Sequence, residues 1–440
     1  MRTGSISRAT VQRRARVRVV LLGLAVGIGG VASGQPADAN YDEAKVPAYT
    51  LPDPLIDNAG RPVTTAAQWH AYRRSEILWM FETHMYGRSP GNPFKPVYTV
   101  EETDGALGGK AKRKQVRILF SEDHPDLYVD VLIYLPADAE GPAPMFLGLN
   151  FQGNHTVHSD PAIRITEAWA RPQRDESVED NRSNEKGRGV AASRWPIEMI
   201  LERGYGVATA YYGEIDPDYD DKFRNGVHSL FAEGGSRKAD EWGSISAWAW
   251  GLSRIMDYLQ SDGEIDGRRV ALMGHSRLGK TALWAGATDP RFALVISNNS
   301  GCGGAALSRR AFGETVRRIN DQFPHWFCGY FKSYSGNEGS LPIDQHELIA
   351  LIAPRPVLVS SAEQDLWADP RGEFLAALHA SPVYELFGEK GLSGAEFPGA
   401  TADSLIGNRI AYKHRPGEHD VTADDWKAYM DFADRELARP

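Results

Sequence analysis

Hydrophobic and polar positions follow two different patterns in the first and second halves of the chain. The first is a series of short β-prone runs separated by turn-rich pieces, which predicts strands at residues 115–120, 128–135 and 144–149. From Tyr205 onward, apolar strands alternate with helical stretches, as is typical of a parallel sheet with crossover helices. The sequence therefore predicts one doubly wound α/β domain, with antiparallel strands opening a mostly parallel central sheet.

The second pattern, from Tyr205 onward, predicts further strands at 206–212, 269–273, 294–297 and 356–361. It predicts helices at 245–259, 278–287, 372–379 and 424–436. Ahead of the first strands, residues 69–86 have helical apolar spacing, and residues 41–62 are rich in Pro and Asp and predicted to be extended. Two surface insertions are predicted, one near 160–195 around the polar stretch 171–188 and a Gly-rich one at 388–407. Insertions of this length often form the wall of an active site, although a mobile decoration without a role is the alternative.

The first 34 residues have the pattern of a signal peptide. They contain six arginines and no acid, followed by an apolar run from Val19 to Val31 and the small residues Ala32-Ser33-Gly34. The apolar run is shorter than the ~20 residues of a membrane span. We therefore expect residues 1–34 to be a cleavable leader and residues 35–440 to be a secreted or periplasmic domain. The pair Arg13-Arg14 leaves the twin-arginine route open.

Charge and cysteine content limit the partners. The formal charge of −9 falls to −15 when the six leader arginines are removed, so nucleic acid and anionic membranes are disfavoured. Separately, we expect a monomer. No His or Cys pair has zinc-site spacing, so no metal or cofactor is expected. Cys302 and Cys328 leave two readings open, a disulfide or two buried thiols.

The turn after the strand at 269–273 has the context of a nucleophile elbow. It reads Gly274-His275-Ser276-Arg277-Leu278-Gly279 and leads into a predicted helix, whose N-terminal amides would point at a developing oxyanion. The stretch departs from G-x-S-x-G because Leu278 takes the place of the second glycine. A strand-to-helix turn with an incidental serine is the alternative.

Two cations accompany Ser276. Arg277 follows it directly, so its backbone amide can join an oxyanion hole and its guanidinium can add a full positive charge. Lys280 comes four residues after Ser276 and lies on the same helix face. A pocket with these groups suits an ester whose carbonyl belongs to, or becomes, a carboxylate.

A serine hydrolase with this elbow needs an acid and then a histidine later in the chain. The strand at 356–361 runs into Glu363 and Asp365, either of which could orient an imidazole. The loop before the last helix contains His419, with His414 as a weaker candidate. Taken alone, Asp365 reads as a helix cap and His419 as a surface histidine. Their order and placement together favour a triad of Ser276, Asp365 and His419.

Four short stretches add a family resemblance. They are Gly274-His275-Ser276-Arg277-Leu278-Gly279-Lys280, Ser300-Gly301-Cys302-Gly303-Gly304, Phe323-Pro324-His325-Trp326-Phe327 and Gly417-Glu418-His419-Asp420. Together they resemble the bacterial glucuronoyl esterases, carbohydrate esterase family 15, over nearly all of residues 35–440. The resemblance implies an α/β-hydrolase fold, a three-layer sandwich. It also implies metal-free cleavage of lignin-carbohydrate esters, between the 4-O-methyl-glucuronic acid branches of glucuronoxylan and lignin alcohols.

The resemblance also implies roles for individual residues. Ser276 would be the nucleophile, His419 the general base and Arg277 the oxyanion stabiliser. Lys280 would contact the hydroxyls of the uronic acid ring. Glu314 and Trp367 match two further sugar contacts.

Two departures from the family pattern matter. Fungal members have a cysteine before the nucleophile, where this chain has His275, so their disulfide at that point cannot form. Many members carry the triad acid as a glutamate at the position of Asn299, and an amide cannot be that anion. Some bacterial members place the acid where Asp365 stands, which predicts an Asp365-dependent triad. Two rival functions are an acetyl xylan or feruloyl esterase, which would not need Lys280, and a degenerate glucuronoxylan-binding protein, suggested by Asn299.

Overall fold

The computed structural model describes Met1, Pro36 and residues 38–173, 175–232, 236–401 and 403–437. The predicted leader therefore lies outside the described residues except for Met1, and its cleavage stays a prediction. Within the described ranges, no helix combines the length and the apolar character needed to cross a membrane.

Twelve strands and ten α-helices are found in the described residues. The strands are β1 (Val97–Ala106), β2 (Ala111–Leu119), β3 (Tyr128–Pro136), β4 (Ala143–Asn150), β5 (Val178–Glu179), β6 (Arg182–Ser183), β7 (Gly206–Tyr211), β8 (Ile265–His275), β9 (Leu294–Asn298), β10 (Val357–Ala362), β11 (Ile406–Gly407) and β12 (Ile410–Arg415). The helices are α1 (Ala66–Gln68), α2 (Arg74–His84), α3 (Ile197–Glu202), α4 (Tyr212–Ile215), α5 (Ser244–Ser261), α6 (Arg277–Thr288), α7 (Val316–Gln322), α8 (Gln345–Ala350), α9 (Pro370–Glu385) and α10 (Ala423–Leu437).

Ten of the strands form one sheet, in the order β1-β2-β3-β7-β4-β8-β9-β10-β12-β11. Strands β1, β2 and β3 are antiparallel, and β3 joins β7 antiparallel. The next six strands in this order, β7, β4, β8, β9, β10 and β12, are parallel. The short β11 then pairs antiparallel with β12 at the edge of the sheet. The carboxyl ends of β8, β9 and β10 therefore lie side by side at one end of the parallel strands. Ser276, Asn299 and Asp365 follow these three strands.

Side chains along the strands alternate between two hydrophobic clusters. Val131 and Ile133 belong to the cluster that includes α2, α5, α6, α8 and α9, whereas Leu132 and Tyr134 belong to the cluster that includes α3 and α10. Because successive strand residues point to opposite faces, the two clusters cover the two faces of the sheet. The three-layer α/β-hydrolase architecture expected from the sequence is confirmed.

Helix starts follow from local sequence. Asp369 accepts a hydrogen bond from the Gly372 amide at 2.9 Å, and Pro370 occupies the first position of α9. Asp344 and Glu347 form a reciprocal capping box at the start of α8.

The structure differs from the sequence-based predictions at several points. The helix expected at 69–86 is α1 and α2 joined by a π-helical stretch, Trp69–Arg73, and it ends at His84. Strand β1 was not predicted because its residues are mostly exposed and polar. Cys302 and Cys328 are both buried free thiols, so the disulfide reading is wrong.

The insertion at 388–407 packs against the edge of the sheet. The Thr401 amide donates to the His414 carbonyl at 3.1 Å, and the Phe397 ring lies 6.1 Å from that of Tyr412. The segment ends in β11, which pairs with β12. These contacts cover the sheet edge rather than the residues around Ser276.

Candidate active site

Ser276 is the single residue between β8 and α6, so the elbow is tighter than the turn of four residues predicted from the sequence. Its backbone has φ 56° and ψ −128°, a strained region for a residue with a Cβ. The Ser276 amide donates to the Asn298 carbonyl at 2.9 Å, and the Ser276 carbonyl accepts from the Gly279 amide at 2.9 Å. A Cβ on Gly274 would collide with the Leu278 carbonyl, so only glycine fits there. These contacts hold the serine at the end of β8 in a strained, fixed conformation.

His419 is oriented by Asp365. His419 Nδ1 lies 2.5 Å from Asp365 Oδ2, and the two side chains are 16% and 4% exposed. Because an ionised carboxylate can only accept, this bond assigns the proton to Nδ1 and leaves the Nε2 lone pair for a general base. The Asp365 side chain makes no helix-capping bond. Glu363 is exposed and accepts no hydrogen bond from His419.

A second imidazole lies against His419. The rings of His275 and His419 are 4.4 Å apart, which places His419 beside the elbow. His275 Nδ1 is bonded to Asn298 Oδ1 at 2.6 Å. Burial, aided by the nearby His419, holds the pKa of His275 well below its ordinary value, so this ring is neutral.

His414, the weaker candidate for the base, lies within β12 and away from this arrangement. Its Nδ1 is bonded to the Pro398 carbonyl at 2.9 Å, and its ring packs 4.8 Å from that of Phe397. His414 is therefore part of the packing of the sheet edge.

Asn299 joins the two loops that hold Asp365 and His419. Its Oδ1 accepts from the Ala362 amide at 2.8 Å, and its Nδ2 donates to the Asp420 carbonyl at 3.4 Å. Asn299 is thus a neutral link between the end of β10 and the histidine loop, at the position where the sequence resemblance would place an acid.

The guanidinium of Arg277 is anchored by Asp218, a carboxylate that was not among the residues predicted from the sequence. Arg277 Nη1 donates to Asp218 Oδ2, and the guanidinium carbon lies 4.8 Å from the centre of the Trp326 ring and 5.4 Å from that of Phe323. Arg277 Nε is buried and has no hydrogen-bond partner among the described residues. The guanidinium is therefore held in place by one carboxylate and two aromatic rings.

Asp218 is fully buried and receives several hydrogen bonds. Besides Arg277, its carboxylate accepts from His325 Nε2 (2.9 Å), Trp326 Nε1 (2.8 Å), the Tyr212 hydroxyl (2.8 Å) and Arg171 Nη2 (3.2 Å). Burial alone would raise the pKa of Asp218, but Arg277, His325 and Arg171 hold it far below its ordinary value. Asp218 lies in the acid-rich stretch Asp216-Pro217-Asp218-Tyr219-Asp220-Asp221, which has no local signal for a buried anion.

Lys280 and Glu314 form a buried pair, and the backbone of Trp367 contacts that of Glu314. Lys280 Nζ donates to the carbonyls of Ser300 (2.5 Å) and Cys302 (2.7 Å), and Glu314 Oε2 lies 3.5 Å from it. The Glu314 amide donates to the Trp367 carbonyl at 3.0 Å. Burial raises the pKa of Glu314, and Lys280 opposes that shift. The site therefore has a polar half next to the strained serine.

This combination of a strained serine, a carboxylate-oriented imidazole and an anchored guanidinium is suited to acyl transfer through serine. A family model for the glucuronyl esterases of fungi matches residues 206–388. A promiscuous carbohydrate esterase family 15 enzyme from a marine bacterial metagenome is 53% identical, with a TM-score of 0.85, and the alignment covers 90% of this chain and 100% of that one. The chain belongs to the glucuronoyl esterase family.

Two further members extend the comparison. The glucuronoyl esterase from Solibacter usitatus is 49% identical with a TM-score of 0.84, covering 90% of this chain and all (100%) of that one. The 4-O-methyl-glucuronoyl methylesterase of Schizophyllum commune is 30% identical over 385 residues, 85% of this chain and 82% of that one. The resemblance noted in the sequence is confirmed.

In this glucuronoyl esterase a buried acid supports the polar half of the site. Glu373 accepts from the amides of Ser300 (2.7 Å) and Gly301 (2.9 Å) and is bonded to the Ser361 hydroxyl at 2.5 Å. Burial raises the pKa of Glu373 to about 8, so the acid is mostly protonated at neutral pH. It braces the loop whose carbonyls hold Lys280. Glu373 lies inside an ordinary helical pattern, so the sequence alone does not mark it as a functional residue.

The insertion near 160–195 contacts three parts of the esterase site. Arg171 Nη2 donates to the Asp218 carbonyl at 2.9 Å, and the Ser183 hydroxyl donates to the Gln152 carbonyl, just after β4, at 3.1 Å. Arg194 Nε donates to Asp420 Oδ1, next to His419, at 2.5 Å. The insertion therefore packs against Asp218, the end of β4 and the loop that carries His419.

Proposed function

We propose that this esterase hydrolyses the ester between the 4-O-methyl-glucuronic acid branches of glucuronoxylan and lignin alcohols. The observation that best supports this substrate is the buried Lys280–Glu314 pair, 3.5 Å apart, on the helix side of the Ser276 elbow. A cation and an acid held in a pocket can hydrogen-bond the hydroxyls of a sugar ring, whereas a simple acetyl group offers them no partner.

The reaction proceeds through an acyl-enzyme. His419 Nε2 takes the proton of the Ser276 hydroxyl as its oxygen attacks the ester carbonyl, and Asp365 stabilises the resulting imidazolium. The backbone amide and guanidinium of Arg277 stabilise the oxyanion. Collapse of the tetrahedral intermediate breaks the bond to the alcohol, which leaves with the proton from His419.

A water molecule then repeats the sequence in reverse. His419 removes its proton, the hydroxide adds to the acyl carbonyl, and Ser276 leaves as the alcohol after His419 returns the proton. The product is a uronic acid that ionises to a carboxylate. The neutral ester thus becomes an anion beside Arg277 and Lys280, inside a protein of negative net charge, and repulsion by that net charge favours release. A product-inhibition constant that does not change with salt would count against this step.

The decisive experiment compares three esters with three proteins. Benzyl glucuronate, an acetylated xylan and a feruloyl ester are offered to the wild type, Ser276→Ala and Lys280→Met. We expect the wild type to prefer the glucuronate ester, Ser276→Ala to be inactive, and Lys280→Met to lose at least ~10-fold in kcat/KM on the glucuronate alone. Preference for the acetyl or feruloyl ester would instead support the rival esterase function.

The structure removes the reason for considering a binding protein without activity. Asn299 suggested it because the usual acid is missing, yet Asp365 is hydrogen-bonded to His419 at 2.5 Å. Labelling of Ser276 by a fluorophosphonate tests this directly, since only an activated serine reacts.

We also infer that the enzyme is exported as a monomer. The support for export is the sequence of residues 1–34, with six arginines before an apolar run and small residues at its end. N-terminal sequencing of the secreted or periplasmic protein, together with its mass in solution, tests both points.

A further inference from the structure

A buried carboxylate lies between two guanidinium groups at the active site. Asp218 Oδ2 accepts from Arg277 Nη1 and, at 3.2 Å, from Arg171 Nη2. Both guanidinium groups lie over the same aromatic ring, with their carbons 5.4 Å (Arg277) and 5.9 Å (Arg171) from the centre of Phe323. Arg277 belongs to the nucleophile elbow, whereas Arg171 is supplied by the insertion.

The remaining contacts of Asp218 come from a phenol, an indole and an imidazole. The Tyr212 hydroxyl and the Trp326 indole are neutral donors. His325 donates from Nε2, and its Nδ1 is buried with no hydrogen-bond partner among the described residues.

The charges in this cluster decide what Arg277 can do. One carboxylate and two guanidinium groups leave a net charge of about +1. Without Arg171, Asp218 and Arg277 would form a neutral pair, and the field of Arg277 at the developing oxyanion would be largely cancelled at short range. Asp218 would then offset most of the positive charge that Arg277 brings to the elbow.

We propose that Arg171 is a positioning residue for ester hydrolysis, which compensates Asp218 and so keeps the positive charge of Arg277 available to the oxyanion. Asp218 fixes the guanidinium of Arg277 but reduces its positive field. Arg171 counters the negative charge of Asp218 and so restores that field. The insertion is in this sense a component of the oxyanion site. The proposal rests on the esterase function proposed above and adds a residue that does not touch the substrate.

The test compares a neutral substrate with an anionic product. KM and kcat are measured with benzyl glucuronate, and the inhibition constant Ki is measured with glucuronate, whose carboxylate occupies the place of the reacting ester. The variants are Arg171→Met and Arg171→Gln, which remove the charge, and Arg171→Lys, which keeps it. The control is Lys186→Met, which removes one positive charge from an exposed ion pair of the same insertion.

For the two neutral variants we expect kcat to fall ~10- to 100-fold and the Ki of glucuronate to rise at least ~10-fold, with KM changed less than ~3-fold. Arg171→Lys should recover most of both losses, and the control should match the wild type. Simple loosening of the insertion would change KM for the neutral ester together with Ki, and lysine would not rescue it.

The outcomes separate the two proposals. If the wild type hydrolyses the uronate ester and both neutral variants keep its Ki for glucuronate, or if lysine is no better than methionine, the role of Arg171 is refuted and the esterase function stands. If the wild type hydrolyses no uronate ester at all, the proposed function itself fails.

Discussion

Replacing Asp365 by asparagine removes the charge that orients His419 while keeping the size of the side chain. The carboxylate lies 2.5 Å from His419 Nδ1 and is only 4% exposed, so water cannot take its place. The amide of asparagine can also donate to Nδ1, which would stabilise the tautomer whose Nε2 carries the proton. That tautomer cannot accept the proton of Ser276.

The size of the effect follows from the geometry of the pair. At this contact the centres of opposite charge are ~4 Å apart, and at an effective dielectric constant of ~20 they attract by ~4 kcal/mol. Loss of that stabilisation in the transition state corresponds to ~10³ in rate, and an Asp-to-Asn change in a serine protease triad lowers kcat about 10⁴-fold. We therefore expect Asp365→Asn to lower kcat on benzyl glucuronate by ~10³ to 10⁴, with KM changed less than ~3-fold.

The assay is steady-state kinetics with benzyl glucuronate, with Glu363→Gln as the matched control. Glu363 lies two residues earlier and is exposed, so its variant should keep wild-type kcat within a factor of ~2. A variant Asp365→Asn that keeps more than about a tenth of the wild-type kcat would refute the assignment. Equal losses in both variants would show that the loop, and not the charge, matters.

Three further predictions follow from contacts around the site. Asn299→Asp should lower the free energy of unfolding in urea by ~1–2 kcal/mol, because the donor to the histidine loop is lost. Its kcat should fall less than ~10-fold, since Asp365 stays in place. A fall in kcat as large as that of Asp365→Asn would contradict this. Gly274→Ala should cost at least ~1–3 kcal/mol of unfolding free energy because its Cβ meets the Leu278 carbonyl, whereas the exposed Gly263→Ala, whose Cβ meets nothing within 4 Å, should be neutral. Burial raises the pKa of Glu373 from 4.5 to about 8, so the folded state binds more protons between those values and stability falls as pH rises, by up to ~1.4 kcal/mol per pH unit. Unfolding measured from pH 5 to 9 should show a shallower fall for Glu373→Gln, and an unchanged slope would exclude a role for this acid.

Local sequence order was sufficient for the architecture and the elbow. The expected strands at 128–135 and 294–297 match β3 and β9 to within one residue at each end, because alternating or continuous apolar runs have few other structures that bury them. Strand β1 escaped prediction because its stability comes from pairing with β2 and not from its own hydrophobic pattern.

The site itself was determined in part by sequence and in part by tertiary structure. Ser276, Arg277 and Lys280 could be identified because they lie within one strand-to-helix turn, where spacing alone fixes which side chains are neighbours. Chain order reduced the acid and the base to two candidates each, and the hydrogen bond between Asp365 and His419 favours this pair over Glu363 and His414. Only the tertiary structure revealed Asp218, Glu373 and the contact from Arg171, since each acts across a gap of many residues. A buried charge is recognised by the partners that surround it, and a sequence does not show which distant residues those are.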